Sequence, residues 1–550
     1  MQKFRLANII SLNILLLILA LWLKPRFQTN DDIGMIYAYS GTAIFDVPTG
    51  VTAFSTKTWG WMMVSLYQLL PSGVEAYTIV LFILIFIANV FIHSKLFEYL
   101  NPRSIPFWLF FLPLISFITL HFYLELQFTM LSGLLCFAGI LLLIKQPNRK
   151  EMIIGYLFVV LGILIRPTVI PIVLAFLFLL NLLATYLFPQ LIDTRNQIFK
   201  KFGLLALIFC AVFFVDKQFH TEREKHFMDF NLYRAGIVDY NIEQSQINTL
   251  PTNWGKVELY LFKNWFYNDP ILYSDSKDYK EEGRSQKNNI LKKMDLGNLR
   301  FSAILQQFKD PFFKCVLILS FVPLFFIKTW KRSAIFLTML VILYILFYNV
   351  LTIFFKEPPF RVSFMMFTCG ILMHLYFTFR LIENRAFNFV RLGFSGLMFL
   401  YGFFITTKSL AYRYQDILNA RCIENYNTSI MYIRWWAYPI ELVDPFKVST
   451  NFHHIKIVSM GAFSIHPALN DSFKNFKYEN LTKDIVGKEQ IISFVMPSDT
   501  LVWEDFRHAY TSFVYKHYNL KIRFEKVDNS QHCFDYCEFK LKQETDAKLD

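Results

Sequence analysis

The sequence predicts an all-α polytopic membrane protein with about 11 transmembrane helices, followed by a small carboxyl-terminal α/β domain outside the membrane. The composition is the first reason: 55% of the 550 residues are hydrophobic and the mean hydropathy is +0.36, whereas a soluble domain averages about 45–50% apolar residues. The second reason is that the apolar residues form unbroken runs long enough to cross a hydrocarbon core about 30 Å thick. The third is the placement of basic residues between these runs.

The candidate spans lie at about 7–23, 76–93, 105–121, 126–144, 152–166, 168–188, 202–216, 312–327, 332–354, 362–379 and 390–407. Lysine and arginine concentrate in every second connecting loop, as in KQPNRK at 145–150 and KTWKR at 328–332. By the positive-inside rule these loops are cytoplasmic. We therefore predict a multi-pass protein with a cytoplasmic amino terminus and an extracytoplasmic carboxyl terminus. The abundance of Lys, Asn, Ile and Phe favours a bacterial source, and hence the bacterial cytoplasmic (inner) membrane.

The large polar segments are predicted to lie outside. We expect a transmembrane domain at 1–410, with external loops at 24–75 and 217–311, and an extracytoplasmic α/β domain at 411–550. Within the tail, a helix is predicted at 503–518, and strands are predicted at 453–460, 489–497, 518–527 and 534–542. In the first loop, the stretch TWGWMMVSLYQLLP at 58–71 is too short to span and predicts a helix lying in the membrane interface.

Two adjacent carboxylates, Asp31 and Asp32, follow the first span in the sequence QTNDDIGMIYAY. On the outer face, a carboxylate with a neighbouring negative charge can have a pKa suited to accepting a proton from a hydroxyl. The same residues also fit the start of a helix, where Asn or Asp caps the end and acidic side chains favour the first turn. The sequence leaves both roles open, and both can hold at once.

An acidic pair directly after the first span, in a chain with about a dozen spans, resembles the GT-C superfamily of membrane glycosyltransferases. The chain also resembles an uncharacterised group of bacterial multipass proteins, through NDDIGMIYAYSGT at 30–42, LELQFT at 124–129, FNLYRAGIVDYN at 230–241 and PPFRVSFMM at 358–366. The resemblance covers most of residues 1–410 and does not extend to the tail. It implies a GT-C-like fold and a catalytic base or acceptor-positioning role for Asp31 or Asp32.

The resemblance also implies a polyprenyl-phosphate donor, whose phosphate requires cations at the membrane surface. Arg166 closes one span before Pro167, and Arg361 opens another shortly after Lys356. Arginine binds phosphate oxygens with a planar fork and keeps its charge, and ionisable groups at the edge of the hydrocarbon are functional candidates. The alternatives are contact with lipid headgroups or, for Arg361, an ion pair with Glu357.

Weaker candidates for substrate contacts are Glu125 and Gln127 in one external turn, and Tyr233, Arg234 and Asp239 in the second external loop. Glu125 and Gln127 could equally cap a helix. No metal-ligand spacing is visible, so no metal or other cofactor is predicted, although a divalent ion is compatible with the chemistry. No nucleotide-binding or nucleic-acid-binding motif is present either.

These observations favour a membrane glycosyltransferase that moves a sugar from a polyprenyl-phosphate donor to a glycan, lipid or protein acceptor on the outer face of the membrane. An O-antigen or capsule polymerase is an alternative, although an acidic pair after the first span is not typical of it. A flippase or transporter of lipid-linked sugars is another, but it would place charges within several spans. The sequence leaves open the sugar, the acceptor, the carrier length and the oligomeric state.

Overall fold

The computed structural model describes residues 6–238 except for 44, 99–110 and 146. It also describes shorter ranges farther along the chain. These are 254–267, 269–273, 279, 311–321, 324, 330–354, 359–380, 396, 400, 431–434, 443–451, 453, 456–459, 462–469, 482–483, 492–497, 500–526 and 536–544. All statements about the fold refer to these residues.

Most of the described chain is helical. The first nine helices are α1 (Leu6–Trp22), α2 (Asn30–Ser40), α3 (Lys57–Leu69), α4 (Ala76–Phe97), α5 (Leu112–Leu124), α6 (Phe128–Leu143), α7 (Arg149–Ile165), α8 (Ile170–Leu187) and α9 (Arg195–Gln218). They are followed by α10 (Glu222–Val238), α11 (Lys256–Lys263), α12 (Pro311–Phe321), α13 (Trp330–Phe354), α14 (Phe360–Phe379), α15 (Val448–Asn451) and α16 (Thr500–Tyr518).

Ten of the eleven predicted spans overlap helices of the described chain, two of them, 105–121 and 312–327, only in part. The eleventh, at 390–407, lies outside the described residues except for positions 396 and 400. Five helices in the described ranges are long and apolar enough to cross a membrane, namely α4, α8, α9, most of α13 and α14. Helices α1, α5 and α6 are apolar but shorter. These features are those of an integral membrane protein, while the full number of spans stays a prediction.

Helices α6 and α14 form the centre of the helical part, because every residue of α6 and nearly every residue of α14 is buried. Small residues allow α6 to approach its neighbours closely. A Cβ atom added to Gly139 of α6 would lie 2.5 Å from the carbonyl oxygen of Gly155 on α7. In contrast, only 11% of the residues in the apolar stretch of α9 are buried, as expected of a helix that faces lipid.

Two sheets are present in the described chain. The first is a short parallel pair of β1 (Arg26–Phe27) and β2 (Glu125–Leu126), which ties the start of the first loop to the α5–α6 turn. The second has five strands in the order β4-β3-β5-β7-β6. These strands are β3 (Met431–Arg434), β4 (Lys456–Ser459), β5 (Ile492–Pro497), β6 (Ile522–Lys526) and β7 (Tyr536–Gln543).

In the larger sheet, β4, β3 and β5 run parallel, and β7 joins β5 and β6 by antiparallel pairing. Four of its strands lie within or beside the predicted strand segments, whereas β3 was not predicted. The predicted tail helix at 503–518 lies within α16, which packs against β6. The division into domains and the location of this region outside the membrane stay predictions.

Candidate active site

The aspartate pair lies in the first turn of α2. After α1, strand β1 pairs with β2. The amide of Gln28 continues this pairing by donating to the carbonyl of Leu126 at 2.9 Å, and helix α2 begins at Asn30. Thr29 occupies the cap position without a side-chain capping bond. Acidic side chains in a first turn face the unsatisfied amides of the helix start, which favours them electrostatically. The two aspartates therefore have a helix-start position and remain available for a second role.

Asp32 is completely buried and held by two donors. Its Oδ1 accepts hydrogen bonds from the hydroxyl of Tyr77 at 2.9 Å and from the amide of Phe128 at 3.2 Å. Its Oδ2 has no partner among the described residues. Burial raises the pKa of Asp32 to about 8; the Tyr77 hydrogen bond opposes this shift and the charge of Asp31 adds to it. Asp32 is therefore mostly protonated at pH 7.

Asp31 has a different environment from its neighbour. Its Oδ2 lies 3.0 Å from Nη2 of Arg361, and the two side chains are 20% and 21% exposed. Arg361 is the second residue of α14, which begins directly after Pro359. The ion pair therefore joins the first turns of two helices that are far apart in sequence, and both of its members are accessible to a ligand.

Arg166 is sandwiched between two aromatic rings. It follows the last residue of α7, and its guanidinium carbon lies 5.0 Å from the ring centroid of Phe54 and 5.1 Å from that of Phe128. Nη1 donates to the carbonyl of Phe54 at 3.0 Å, while the buried Nε has no partner. Within the described part of the chain, Arg166 forms no ion pair with a carboxylate. It nevertheless interacts electrostatically with Arg361, Asp31 and Asp32, so the four predicted residues converge.

The carboxyl-terminal region contributes to the surroundings of this site. Phe463 contacts Phe54 in an edge-to-face arrangement, with ring centroids 5.5 Å apart. The same ring covers Gly34 of α2, where an added Cβ would lie 2.5 Å from it. Close by, Nε2 of His466 bonds to the carbonyl oxygen of Val51 at 2.9 Å. The ring of Phe463 is thus in direct contact with Phe54, one of the two rings between which Arg166 lies.

The weaker candidates have more ordinary partners. Glu125 forms an ion pair with Arg26, with its Oε1 3.0 Å from Nε. Gln127 caps α6, because its Oε1 accepts the amide of Met130 at 2.9 Å, whereas its buried Nε2 has no partner.

Tyr233 and Arg234 lie on α10. Tyr233 packs among aromatic rings of the second loop, and the guanidinium of Arg234 lies 4.6 Å from the ring of Trp265. The structure gives no contact between them and the aspartates. Asp239 and Lys356 lie outside the described residues. Among the residues that the structure describes, no group of three or more His, Cys, Asp or Glu side chains is placed to hold a metal ion.

Comparisons with known proteins give one distant likeness. No family model matches the chain, and no curated protein matches it. A solved structure that is similar is that of ArnT from Cupriavidus metallidurans bound to undecaprenyl phosphate, with 12% sequence identity, a TM-score of 0.37 and coverage of 97% of both chains. The interpretation of the site therefore rests on the geometry of its own residues.

Three residues that build the site were not predicted from the sequence. Tyr77 supplies the hydroxyl that holds Asp32, and Phe54 and Phe128 hold Arg166. Tyr77 is the only one with a sequence signal, because it is a hydroxyl-bearing side chain at the start of a long apolar helix. The two phenylalanines carry no signal in a chain with 62 of them.

Proposed function

We propose that the chain is a GT-C-type glycosyltransferase of the bacterial cytoplasmic membrane. It transfers a sugar from a polyprenyl-phosphate donor to a hydroxyl of a glycan, lipid or protein acceptor on the outer face. The observation that carries this proposal is the convergence of an accessible Asp31–Arg361 ion pair with Arg166, a partly buried arginine that forms no ion pair with a carboxylate of the described residues.

The two arginines are suited to a phosphate at the membrane surface. A partly buried guanidinium without a counterion carries a desolvation cost, and an anionic ligand would offset that cost. The rings of Phe54 and Phe128 fix the guanidinium plane of Arg166 by cation–π contacts. Arg361 lies across the site and uses Nη2 for Asp31, and the guanidinium fork has further donors for phosphate oxygens.

The chemistry follows from these positions. The acceptor hydroxyl attacks the anomeric carbon of the donor sugar while Asp31 takes the hydroxyl proton. The new glycosidic bond forms as the bond between the anomeric carbon and the phosphate oxygen breaks. The polyprenyl phosphate leaves with the electron pair, and Arg166 and Arg361 stabilise its additional negative charge. Asp31 suits the role of base because its carboxyl group lies beside Arg361 and is accessible.

Asp32 has a supporting role in this proposal. It is buried, its Oδ1 is occupied by two donors, and its raised pKa keeps it mostly neutral at pH 7. A neutral carboxyl cannot act as a base, but it can hold the start of α2 in place through Tyr77 and Phe128. The two adjacent aspartates are therefore expected to differ sharply when each is replaced by asparagine.

The test compares Asp31→Asn with Asp32→Asn in membranes of the source organism, which contain the acceptor. Release of undecaprenyl phosphate from a panel of undecaprenyl-phosphate sugars is measured. Asp31→Asn is expected to reduce release by about a hundredfold or more, because general-base catalysis contributes on the order of 10²–10⁴. Asp32→Asn keeps the Oδ1 acceptor and mimics a neutral carboxyl, so a loss of less than about tenfold is expected. Full activity of Asp31→Asn would contradict the proposal.

A binding measurement on the purified protein tests the arginines separately. Arg166→Gln is expected to weaken the affinity for undecaprenyl phosphate by about tenfold or more, as loss of a charge-assisted contact would. The matched control is Arg195→Gln, because Arg195 also lies over an aromatic ring, that of Tyr186 at 4.3 Å, but at the start of α9. A similar loss in both variants would argue against a phosphate site at Arg166.

A further inference from the structure

A group of buried polar atoms without partners among the described residues lies on the two segments that adjoin Asp32. They belong to two segments that lie side by side, 28–32 and 123–129, and none has a hydrogen-bond partner among the described residues. The atoms are Gln28 Oε1, Thr29 Oγ1, Asp32 Oδ2, Tyr123 Oη, Gln127 Nε2 and Thr129 Oγ1. Asp32, Tyr123, Gln127 and Thr129 are each at most 2% exposed.

The two segments are held together by backbone contacts. The pairing of β1 with β2 is continued by the bond from the Gln28 amide to the Leu126 carbonyl. Four residues later, Asp32 accepts the amide of Phe128, which stands between Gln127 and Thr129 in the chain. Tyr123 stacks on Phe82 of α4, the helix that carries Tyr77. The residues that carry the unpartnered atoms therefore lie on two adjoining segments, which are joined at Asp32 by its bond to Phe128.

Such a concentration of unpartnered groups points to a ligand. More than about 90% of buried polar groups in proteins have a hydrogen-bond partner, and each one left without a partner is destabilising. Six of them on two short neighbouring segments are too many for a closed, dry core. A ligand that donates and accepts several hydrogen bonds would satisfy them together.

The chemistry of the group excludes an anion and an acyl chain. It contains amide and hydroxyl groups and a carboxyl without an ion-pair partner, and it contains no cation. The nearby Arg26 is engaged with Glu125 at 3.0 Å. Hydroxyl groups both donate and accept, which is what a mixed set of amide, hydroxyl and carboxyl groups requires.

We propose that these residues bind the sugar ring of the lipid-linked donor, and this inference rests on the proposed glycosyltransferase function. Phe128 fixes the arrangement, because its amide binds Asp32 and its ring lies against Arg166. The sugar therefore lies next to the phosphate that Arg166 holds. Its anomeric carbon is placed between these amide, hydroxyl and carboxyl side chains on one side and the arginines on the other. Tyr123 and Thr129 determine the affinity for the sugar, and they do not contact the phosphate.

The experiment uses the purified full-length protein in lipid nanodiscs. Affinities are measured for bare undecaprenyl phosphate and for undecaprenyl phosphate carrying glucose, galactose, mannose or arabinose. Tyr123→Phe and Thr129→Val remove one hydroxyl each with little change in shape. Each is expected to weaken binding of the preferred glycolipid by roughly three- to tenfold, the effect of one hydrogen bond, and to leave the affinity for bare undecaprenyl phosphate unchanged.

The matched control is Thr368→Val on α14. The hydroxyl of Thr368 is also buried and has no partner among the described residues, but it lies about two helical turns beyond Arg361. It is expected to change neither affinity. A second measurement is the melting temperature of the ligand-free protein, which Tyr123→Phe and Thr129→Val should leave unchanged or raise, because the hydroxyls bind nothing there. A clear fall would show that the protein itself satisfies them and would overturn the inference.

The outcomes separate this inference from the proposed function. If the wild-type protein binds undecaprenyl phosphate through Arg166, but Tyr123→Phe and Thr129→Val bind every glycolipid as the wild type does, the sugar site is wrong and the phosphate site stands. Equal affinity of the wild type for the bare and all sugar-bearing lipids would also overturn it. If the wild type binds none of these lipids, the proposed function fails, and the sugar site with it.

Discussion

Asp31 and Asp32 are neighbours in sequence with the same side chain, yet their surroundings differ. Asp31 is partly exposed and lies beside the guanidinium of Arg361. Asp32 is enclosed by apolar residues, a hydroxyl and an amide. Desolvation of the carboxylate is larger than the stabilisation from these two hydrogen bonds, and its pKa rises to about 8. A difference of one position along the helix therefore separates an accessible, ion-paired aspartate from a buried one.

The raised pKa of Asp32 predicts a pH dependence of stability. The folded protein keeps the proton up to about pH 8, whereas the unfolded chain releases it near the ordinary value of 3.8. The stability from protonated Asp32 is thus complete below about pH 4 and is lost as the pH rises to about 8. Glu75, whose pKa burial raises to about 7 against the hydrogen bond from Ser449, contributes in the same direction over a lower range.

Melting curves between about pH 5 and 9 test this expectation. The melting temperature of Asp32→Asn should fall less with rising pH than that of the wild type, with the difference extending to about pH 8. Glu75→Gln serves as the comparison, because its difference from the wild type should end near pH 7. Parallel curves for Asp32→Asn and the wild type would show that Asp32 is ionised in the folded protein.

The charged residues of the site could be predicted from the sequence, whereas the residues that contact and position them could not. Asp31, Arg166 and Arg361 stand out because ionised side chains are rare beside apolar runs. The contacts of Phe128 with Asp32 and of Phe463 with Phe54 join residues that are far apart in the chain. Local periodicity has no information about such pairs, and an aromatic residue in a membrane protein is ordinarily read as lipid-facing or core.

At the scale of single elements, α2 is unusual because it is short and nearly enclosed. Every residue from Asp32 to Tyr39 is buried. Gly34 allows this enclosure, because Phe463 lies where a side chain would extend. An added Cβ would be 2.5 and 2.7 Å from two atoms of the Phe463 ring, closer than atoms can approach without movement. The packing of α2 against the carboxyl-terminal region thus depends on one missing side chain.

Gly34→Ala is expected to destabilise the protein by about 1–3 kcal/mol, the usual cost of overpacking a core, and to lower its melting temperature. Combination with Phe463→Leu, which gives the added methyl group space, should recover part of the loss. Gly203→Ala is the control, because an added Cβ there meets no atom within 4 Å. That variant should be neutral or slightly stabilising, since alanine favours helix over glycine. Equal effects of Gly34→Ala and Gly203→Ala would contradict the close contact with Phe463.

Elements with a strong apolar pattern were predicted well, and polar ones were not. The segment at 58–71, which is predicted to be an interfacial helix, overlaps α3, and ten of the predicted spans overlap helices. Helices α10 and α11 lie in the predicted second external loop at 217–311, a polar segment in which no helix is predicted from the sequence. The buried residues of α10, such as Phe227, Phe230 and Tyr233, recur at helical spacing, and packing against other aromatic residues stabilises the helix. Strand β3 is four residues long, too short for an alternating pattern to be distinguished.

At the scale of the whole molecule, the carboxyl-terminal region is held against the helical part at several separate places. The hydroxyl of Thr78 donates to the carbonyl of Pro445 at 2.6 Å, and the amide of Ser449 donates to Glu75 at 2.9 Å. On α16, Lys516 and His517 bind Glu258 of α11. Because the contacts involve both the start of α4 and the second loop, the region and the proposed site are expected to act as one unit.

Glu258 is the centre of the polar contact between α11 and α16. Its side chain is fully buried, its Oε1 lies 2.6 Å from both Lys516 Nζ and His517 Nε2, and its Oε2 accepts the amide of Gly255. Burial alone would raise the pKa of Glu258, but the hydrogen bonds from Lys516 and His517 outweigh it and lower the pKa to about 2. Its contribution to stability is therefore complete at neutral pH and is lost only as the pH falls from about 4.5 towards 2.

Glu258→Gln removes this charge at neutral pH with almost no change in shape. The carboxyl-terminal region should then detach more often, and its cleavage by trypsin in detergent should accelerate by roughly five- to thirtyfold, as for the loss of one or two kcal/mol of local stability. Glu525→Gln is the control, because Glu525 pairs with Arg523 and Lys542 on the exposed face of the sheet, where ion pairs contribute little. Unchanged cleavage in Glu258→Gln, or equal acceleration in both variants, would show that the region is held by its apolar contacts alone.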